Sequence, residues 1–317
     1  MSGIVGLGGG VGASRLWRVL ARAAGPSSLS LVVNTAGDLR LHGLRICPAI
    51  DTTLYALSGR QDPERGWGVR DESFRCREAL RGLGGDSWFS LGDLDLATHL
   101  FRTGLLAGGR TLTEATAQLV SSFGVRARVL PMTDHDVTTM VSTTDGRLLH
   151  YEEYLVREQA GPGVRGVRFD GIGTAVPAAG VLAAIESADL IVLGPSSPVA
   201  SMLPILGLPG VTKALEQRRD RVVAVSPVVA GVPFTDEAER RRGHARAALL
   251  AAISLPATAS GVARLYRDVC ARFVYDRVDS GEDTRIEAQG PQPVAADLLL
   301  HRGASPDSLL SAILGPP

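Results

Sequence analysis

The chain of 317 residues predicts an α/β fold: a doubly wound, mostly parallel sheet with a smaller, partly helical appendage. Three observations carry that expectation. The chain opens with a short apolar strand, a glycine turn and a helical pattern. Short apolar strands recur further on, with helical stretches between several of them. One long central segment is rich in helix formers and in Arg, and poor in β-branched runs.

Gly3-Ile4-Val5-Gly6-Leu7 reads as a buried strand and Gly8-Gly9-Gly10-Val11-Gly12 as the turn after it. Leu16, Val19 and Leu20 then recur at helical spacing, with Arg15 and Arg18 on other faces. A second strand, Leu29–Val33, ends at Asn34-Thr35-Ala36-Gly37-Asp38. Further strands fall at Arg128-Val129-Leu130, Leu190-Ile191-Val192-Leu193 and Val222-Val223-Ala224-Val225, and helical patterns at 181–187 and 211–218. Residues 60–123 read as a helical insertion, which leaves 1–59 and 124–290 as the core of one unit spanning 1–317. Over 138–170 polar and apolar residues alternate, and Asp145-Gly146 supplies a turn, which predicts an antiparallel hairpin and further strands. Patterning is weak after Asp279, where a loop should precede a last short helix.

Basic and acidic residues balance at 33 each, so no global field draws nucleic acid or anionic lipid, and any anion site must be local. Cys47, Cys76 and Cys270 are odd in number and widely spaced, which supports neither a disulfide framework nor a zinc cluster. No apolar run approaches the ~20 residues of a membrane-spanning helix, and the N-terminus lacks a signal-peptide pattern. The expected setting is the cytoplasm, with neither membrane nor nucleic acid as partner.

Glycines 8–12 let the backbone approach an anion while the amides of the following helix point at it, so Gly10, Val11 and Gly12 are candidate phosphate contacts. The turn is no Walker loop, and it fits a dinucleotide fingerprint only if Ser14 is ignored. Without ligand it would be a tight strand–helix connection. Asp38, Asp51, Asp93, Asp95 and Asp134 form an acidic set placed near strand ends. Asp38 and Asp51 flank the loop that leaves the second strand beside the glycine turn, where a diphosphate-bound Mg²⁺ would take one or two carboxylates; Asp51 otherwise serves as a helix cap. Asp95, His99 and Arg102 share one helix face by their spacing, either as site residues or as packing and surface contacts. Gly194-Pro195-Ser196-Ser197-Pro198 follows a buried strand and suits a phosphate or sugar, or else simply caps a helix.

Taken together, these segments resemble the 2-phospho-L-lactate transferase family of coenzyme F-420 biosynthesis. The resemblance runs through VVNTAGDLRLHGLRICPAIDTTLY, the Gly66-Trp67-Gly68 stretch, LGDLDLATHLFRT, VLPMTDHDVTT, GPSSPVASMLPIL and VAVSPVVAG. It implies a Rossmann-like core, a homodimer, and transfer of a phospho-acid moiety from a guanosine diphosphate conjugate to the ribityl hydroxyl of the deazaflavin Fo, with release of GMP. It places the catalytic, metal- and Fo-proximal Asp on Asp51 and sets Asn34 beside the diphosphate. Ser196 and Ser197 would face the donor, and Ser90, Asp93, Asp95, His99, Arg102, Thr133 and Asp134 fall in the matching substrate-binding segments. Two departures stand out. Gly37 occupies a position where many relatives carry a second acidic residue beside Asp38, and Ser90 one where many archaeal relatives carry Arg or Lys, a charge that Arg102 would have to supply. A sister family with a similar glycine turn and GPSSP-like loop binds nucleotide sugars and regulates metabolism without catalysis. That is the alternative reading.

Overall fold

The structure, a computed structural model, describes residues 3–315; the outermost positions of the unit expected over 1–317 lie outside the described residues. Its strands are β1 (Ile4–Leu7), β2 (Leu29–Val33), β3 (Leu39–Leu41), β4 (Leu44–Ile46), β5 (Arg128–Pro131), β6 (Thr138–Thr143), β7 (Leu148–His150), β8 (Val164–Asp170), β9 (Leu190–Leu193), β10 (Val222–Val225), β11 (Arg272–Asp276) and β12 (Gln292–Ala296). The α-helices of the first half are α1 (Gly10–Ala24), α2 (Pro48–Leu57), α3 (Arg75–Gly82), α4 (Asp93–Ala107) and α5 (Leu112–Ser122). Those of the second half are α6 (Val181–Ser187), α7 (Leu203–Leu206), α8 (Val211–Gln217), α9 (Glu237–Ala252), α10 (Ala259–Tyr266), α11 (Asp283–Glu287) and α12 (Pro306–Leu314).

Seven strands form one parallel sheet in the order β12-β11-β10-β9-β1-β2-β5. The central strands β1, β9 and β10 are buried along their whole length, as continuous apolar runs covered on both faces must be. The chain winds outward from β1 to β5, then returns to β9 and winds the other way. The switch point therefore lies between β1 and β9, where loops leaving adjacent strands diverge and open a crevice. Trp17 of α1 is fully buried under this point. A Cβ on Gly6 would lie 2.7 Å from its ring and one on Gly194 2.8 Å, so both strands lack side chains where the indole sits.

The 138–170 segment forms the three-stranded antiparallel sheet β7-β6-β8. A second hairpin, β3-β4, turns through His42 and Gly43 at positive φ of 53° and 76°. With three residues per strand and a His in the turn, it has too weak an alternation to be read from sequence. Within 60–123, α5 differs from the rest: its Leu112 and Leu119 join the core cluster that holds Trp17 and Leu31, so it covers the sheet as part of the crossover into β5. The C-terminal region adds β11 and β12 to the sheet. Pro293 is tolerated in β12 because that strand is the edge. No single helix among the described residues is long and apolar enough to cross a membrane.

Gly194→Ala should cost about 1–3 kcal/mol through overpacking against Trp17, read as a lower urea midpoint with an unchanged slope. Gly10, where an added Cβ meets no atom within 4 Å but φ is 77°, should respond to Ala only through its backbone strain.

Candidate active site

The crevice at the switch point is a cavity of about 590 Å³, lined by the loops after β1, β2, β9 and β10 together with α2, α4 and α9. On one side lies the start of α1. Gly9 is its N-cap and offers no side chain, so the first amides of the helix have no capping partner and face the cavity. Gly12 must be a glycine because a Cβ there would collide with the Pro195 carbonyl, and one on Gly8 would strike the Ser196 hydroxyl. The Ser196 hydroxyl clasps the turn: it accepts from Gly9 N at 2.9 Å and donates to Gly9 O at 3.0 Å. Ser197 caps the helical turn Pro198–Met202, accepting from Ala200 N at 3.2 Å. Asn34 donates to Ala200 O at 3.3 Å and accepts from Ala36 N at 3.0 Å, which joins the β2 loop to the β9 loop. These residues thus line the cavity while their own hydrogen bonds shape it.

The opposite side is acidic. Glu72 caps α4, accepting from Leu94 N at 2.7 Å and Asp95 N at 3.0 Å across a position that only Gly92 leaves open. From that helix Asp95, His99 and Arg102 all turn toward Asp51, which sits in the first turn of α2 behind Pro48. Arg102 is fully buried and donates to both Asp51 oxygens, at 3.2 Å to Oδ2 and more closely to Oδ1, and to the Arg45 carbonyl at 3.3 Å. His99 Nδ1 lies 3.5 Å from Asp51 Oδ2, and its Nε2 lies 3.3 Å from Asp95 Oδ2. Tyr55 donates to Asp95 Oδ1 at 2.6 Å. Burial pushes the Asp51 carboxyl up, against the pull of Arg102 and His99. Asp95 is held below its ordinary range: burial opposes this, but His99, Tyr55 and Arg102 outweigh it.

Asp51, Asp95 and His99 each offer one ligand atom, all within 4.8 Å of one another. His99 Nε2 is buried without a hydrogen-bond partner. Two carboxylates and an imidazole nitrogen that makes no hydrogen bond, on a polar cavity wall, fit a divalent cation.

The cavity therefore gathers Gly10, Val11, Gly12, Asn34, Asp51, Ser90, Asp95, His99, Ser196 and Ser197. Five expected site residues lie elsewhere. Asp38 does not join Asp51 at a metal; it is buried on Arg45 at 3.2 Å and lines a second cavity of about 390 Å³. Asp93, at the start of α4, turns to the start of α3, accepting from Ser73 Oγ and, at 3.1 Å, from Cys76 N. Asp134 accepts from Thr113 N at 2.7 Å at the start of α5, and Thr133 donates to the Val176 carbonyl at 2.6 Å. Arg102 is spent on Asp51 beneath the cavity wall, so it does not supply the charge missing at Ser90. Nor do Asp93 and Asp95 stand at strand ends; both belong to the first turn of α4.

Sequence reasoning overlooked other residues of the cavity. Glu152 occupies the space above Gly37, with Oε1 3.3 Å from where a Cβ would stand, so an acid from another element fills the room an acidic side chain at 37 would need. Trp67, Trp88 and Phe89 form an aromatic wall, and Arg15, Arg241, Arg242 and Arg246 a basic one. The triplet Arg240-Arg241-Arg242 reads as a solvated helix face, and only the packing of α9 turns part of it inward.

An open parallel sheet with an uncapped helix start and a cluster able to hold a cation, both lining one cavity at the switch point, is a site suited to a phosphorylated ligand. The family model described as 2-phospho-L-lactate transferase CofD matches residues 4–301. A phosphoenolpyruvate transferase of Streptomyces griseus subsp. griseus is 38% identical over 302 residues, covering 94% of this chain and 92% of the relative. A 2-phospho-L-lactate transferase of Methanosarcina acetivorans is 36% identical, covering 98% and 97%. A solved structure of a UPF0052-family protein from Bacillus halodurans superposes with a TM-score of 0.63 at 20% identity over 99% of both chains, a likeness of fold alone. The chain belongs to the 2-phospho-L-lactate transferase family of coenzyme F-420 biosynthesis and is an enzyme of the transferase class.

Two measurements test this site. Arg102→Ala leaves Asp51 buried without its partner and should cost about 3–5 kcal/mol, so the melting temperature should fall sharply. Arg102→Lys, which keeps the charge but loses the fork, should fall between; an Ala variant as stable as wild type would show that the pair contributes nothing. The second concerns Glu152, pushed up to about 8 from its ordinary 4.5 by burial and then by Asp38. The folded state keeps a proton that the unfolded chain has already released, so this group's contribution to stability is full below about pH 4.5 and is lost as pH rises toward 8. Glu152→Gln should flatten the decline of the urea midpoint across that range, whereas parallel curves for the two proteins would place the proton elsewhere.

Proposed function

We propose that the enzyme transfers a phospho-carboxylic-acid moiety from its guanosine diphosphate conjugate to the ribityl hydroxyl of Fo, releasing GMP with Mg²⁺ bound, as a homodimer in the cytoplasm. The observation that supports this best is that the cation-binding cluster Asp51–Asp95–His99 and the uncapped start of α1 open into one cavity. The relatives carry both names, phosphoenolpyruvate transferase and 2-phospho-L-lactate transferase, at 38% and 36% identity, so the donor's acid is one of that class.

Asp51, Asp95 and His99 would hold the cation, which when bound supplies positive charge to the phosphoryl oxygens and the leaving group. The α1 amides at Gly10, Val11 and Gly12 bind the phosphate oxygens and place the phosphorus next to the acid toward the acceptor. Trp67, Trp88 and Phe89 offer flat surfaces on which the deazaflavin ring stacks. The hydroxyl oxygen forms its bond to that phosphorus in line with the bond to GMP, which breaks; GMP leaves with the electron pair and the hydroxyl proton is released. No side chain forms a covalent intermediate. Arg102 fixes both oxygens of Asp51, so the carboxylate meets the reaction already oriented and costs no reorganisation.

The test incubates the protein with Fo, Mg²⁺ and guanylylated phospholactate, phosphoenolpyruvate or phosphoglycerate, and follows products by mass. One donor should yield the Fo conjugate and GMP. Asp51→Asn should lower the rate by about 10³-fold or more while the circular dichroism spectrum stays that of wild type. Failure of every donor would reject the proposed reaction, and near wild-type turnover in the variant would remove Asp51 from it.

A further inference from the structure

One wall of the cavity carries charge that the chain itself leaves unbalanced. Six guanidinium groups line the cavity as a whole: Arg15, Arg77, Arg241, Arg242, Arg246 and Arg302. Three are engaged: Arg77 donates to the Ser87 carbonyl at 3.0 Å, Arg241 to Gln159 at 2.7 Å and Arg302 to Glu239 at 3.1 Å. Arg15, Arg242 and Arg246 are half-buried and make no hydrogen bond or ion pair among the described residues. Arg242 and Arg246 stand one turn apart on α9, and Arg15 stands one turn beyond Val11 on α1.

Arg242 disfavours the charge of both the others. Burial lowers the proton affinity of each, and Arg242 lowers that of Arg15 and Arg246 further. Glu239 attracts all three and Asp236 attracts Arg15 and Arg242, but neither acid forms an ion pair with them, because both are committed elsewhere. Glu239 is held by Arg302 and His301 at 3.1 Å each, and Asp236 caps α9 on Glu239 N at 2.7 Å. Tyr151, the remaining group beside Arg242 and Arg246, has its hydroxyl pushed above the ordinary range by burial and so stays neutral. Glu152, next along the chain, couples to Arg241 rather than to these three. Partly desolvated cations without a counter-ion are costly, and the cost persists only where a ligand offsets it.

We infer that Arg15, Arg242 and Arg246 form a phosphoryl-recognition site that, with the start of α1, takes the diphosphate of the donor. A lone carboxylate would neutralise one of the three charges; the donor's diphosphate, esterified at both ends, carries two and the carboxylate of its acid a third, and guanidinium forks match such oxygens in pairs. The site rests on the transferase reading for the identity of its ligand, while its affinity for a diphosphate does not. The metal cluster and the arginine wall then hold the donor from two sides, and the cation need not bear the whole charge of the phosphates.

Calorimetric titration of the unliganded protein with inorganic pyrophosphate, GDP and guanosine tests this, using Arg246→Gln and Arg242→Gln on α9 and Arg15→Gln on α1. Each variant should bind pyrophosphate and GDP at least tenfold more weakly, with a smaller dependence on salt, while guanosine binding stays as in wild type. Each should also melt roughly 2 °C or more above wild type without ligand, because a repelling charge has been removed. A structural role predicts the opposite, a lower melting temperature with pyrophosphate affinity unchanged. Wild type that binds neither anion would overturn the inference, as would equal affinities across the series. If the variants lose pyrophosphate while no donor reacts in the product assay, the proposed reaction fails and the site stands; if product forms and the variants bind pyrophosphate normally, the site fails and the reaction stands.

Discussion

One hydroxyl group ties together the two loops that leave the sheet where its halves diverge. Ser196 Oγ both accepts from and donates to the backbone of Gly9, at 2.9 and 3.0 Å. The loop after β9 is thereby fixed to the loop after β1 across the switch point. Such proximity demands that Gly8 and Gly12 have no side chain, since a Cβ on either would overlap Ser196 or Pro195. It also leaves the Gly9 position unable to cap α1, and so the helix start is presented open to the cavity. The anion-binding property of this turn is thus a consequence of how the sheet is closed beneath it.

Charge within the cavity is divided. At the α4 side every acidic group is supported: Asp51 by Arg102, Asp95 by Tyr55 and His99. At the α9 side Arg15, Arg242 and Arg246 make no hydrogen bond or ion pair among the described residues, and Arg242 disfavours the charge of the other two. The first arrangement holds its carboxylates in fixed positions in a partly desolvated place, and the second carries charge that a bound anion would offset. A ligand with both a metal-binding diphosphate and excess negative charge satisfies both. Folding stability and ligand affinity therefore pull in opposite directions at the arginine wall and in the same direction at Arg102.

The strands β1, β9 and β10 were legible from sequence because burial on both faces leaves no room for polar residues, and β2 was legible because only Ser30 interrupts its apolar run. β12 was not: Gln292-Pro293-Val294-Ala295-Ala296 has little strand character, and its place at the sheet edge is decided by its pairing with β11. The face made by Asp95, His99 and Arg102 followed from helical spacing. What that face meets did not, because Asp51 lies 51 residues away from Arg102 in sequence and reaches it only through the packing of α2 and α4. Asp38 shows the reverse: near Asp51 in the chain, it turns instead to Arg45.

By itself the sequence determined the α/β winding, the glycine turn and the family's motifs, all of them local or periodic features that one stretch of chain expresses without help from another. The tertiary structure decided which of the charged groups are partners and which are left for a ligand. Whether a carboxylate is a ligand or a cap, or a guanidinium a strut or an anion clamp, depends on what other chain segments bring within about 4 Å, the range over which a charge pair is strong in a partly dry interior. Arg102 and Arg246 are alike on paper; one is consumed by Asp51 and the other makes no hydrogen bond or ion pair among the described residues, and only the fold distinguishes them.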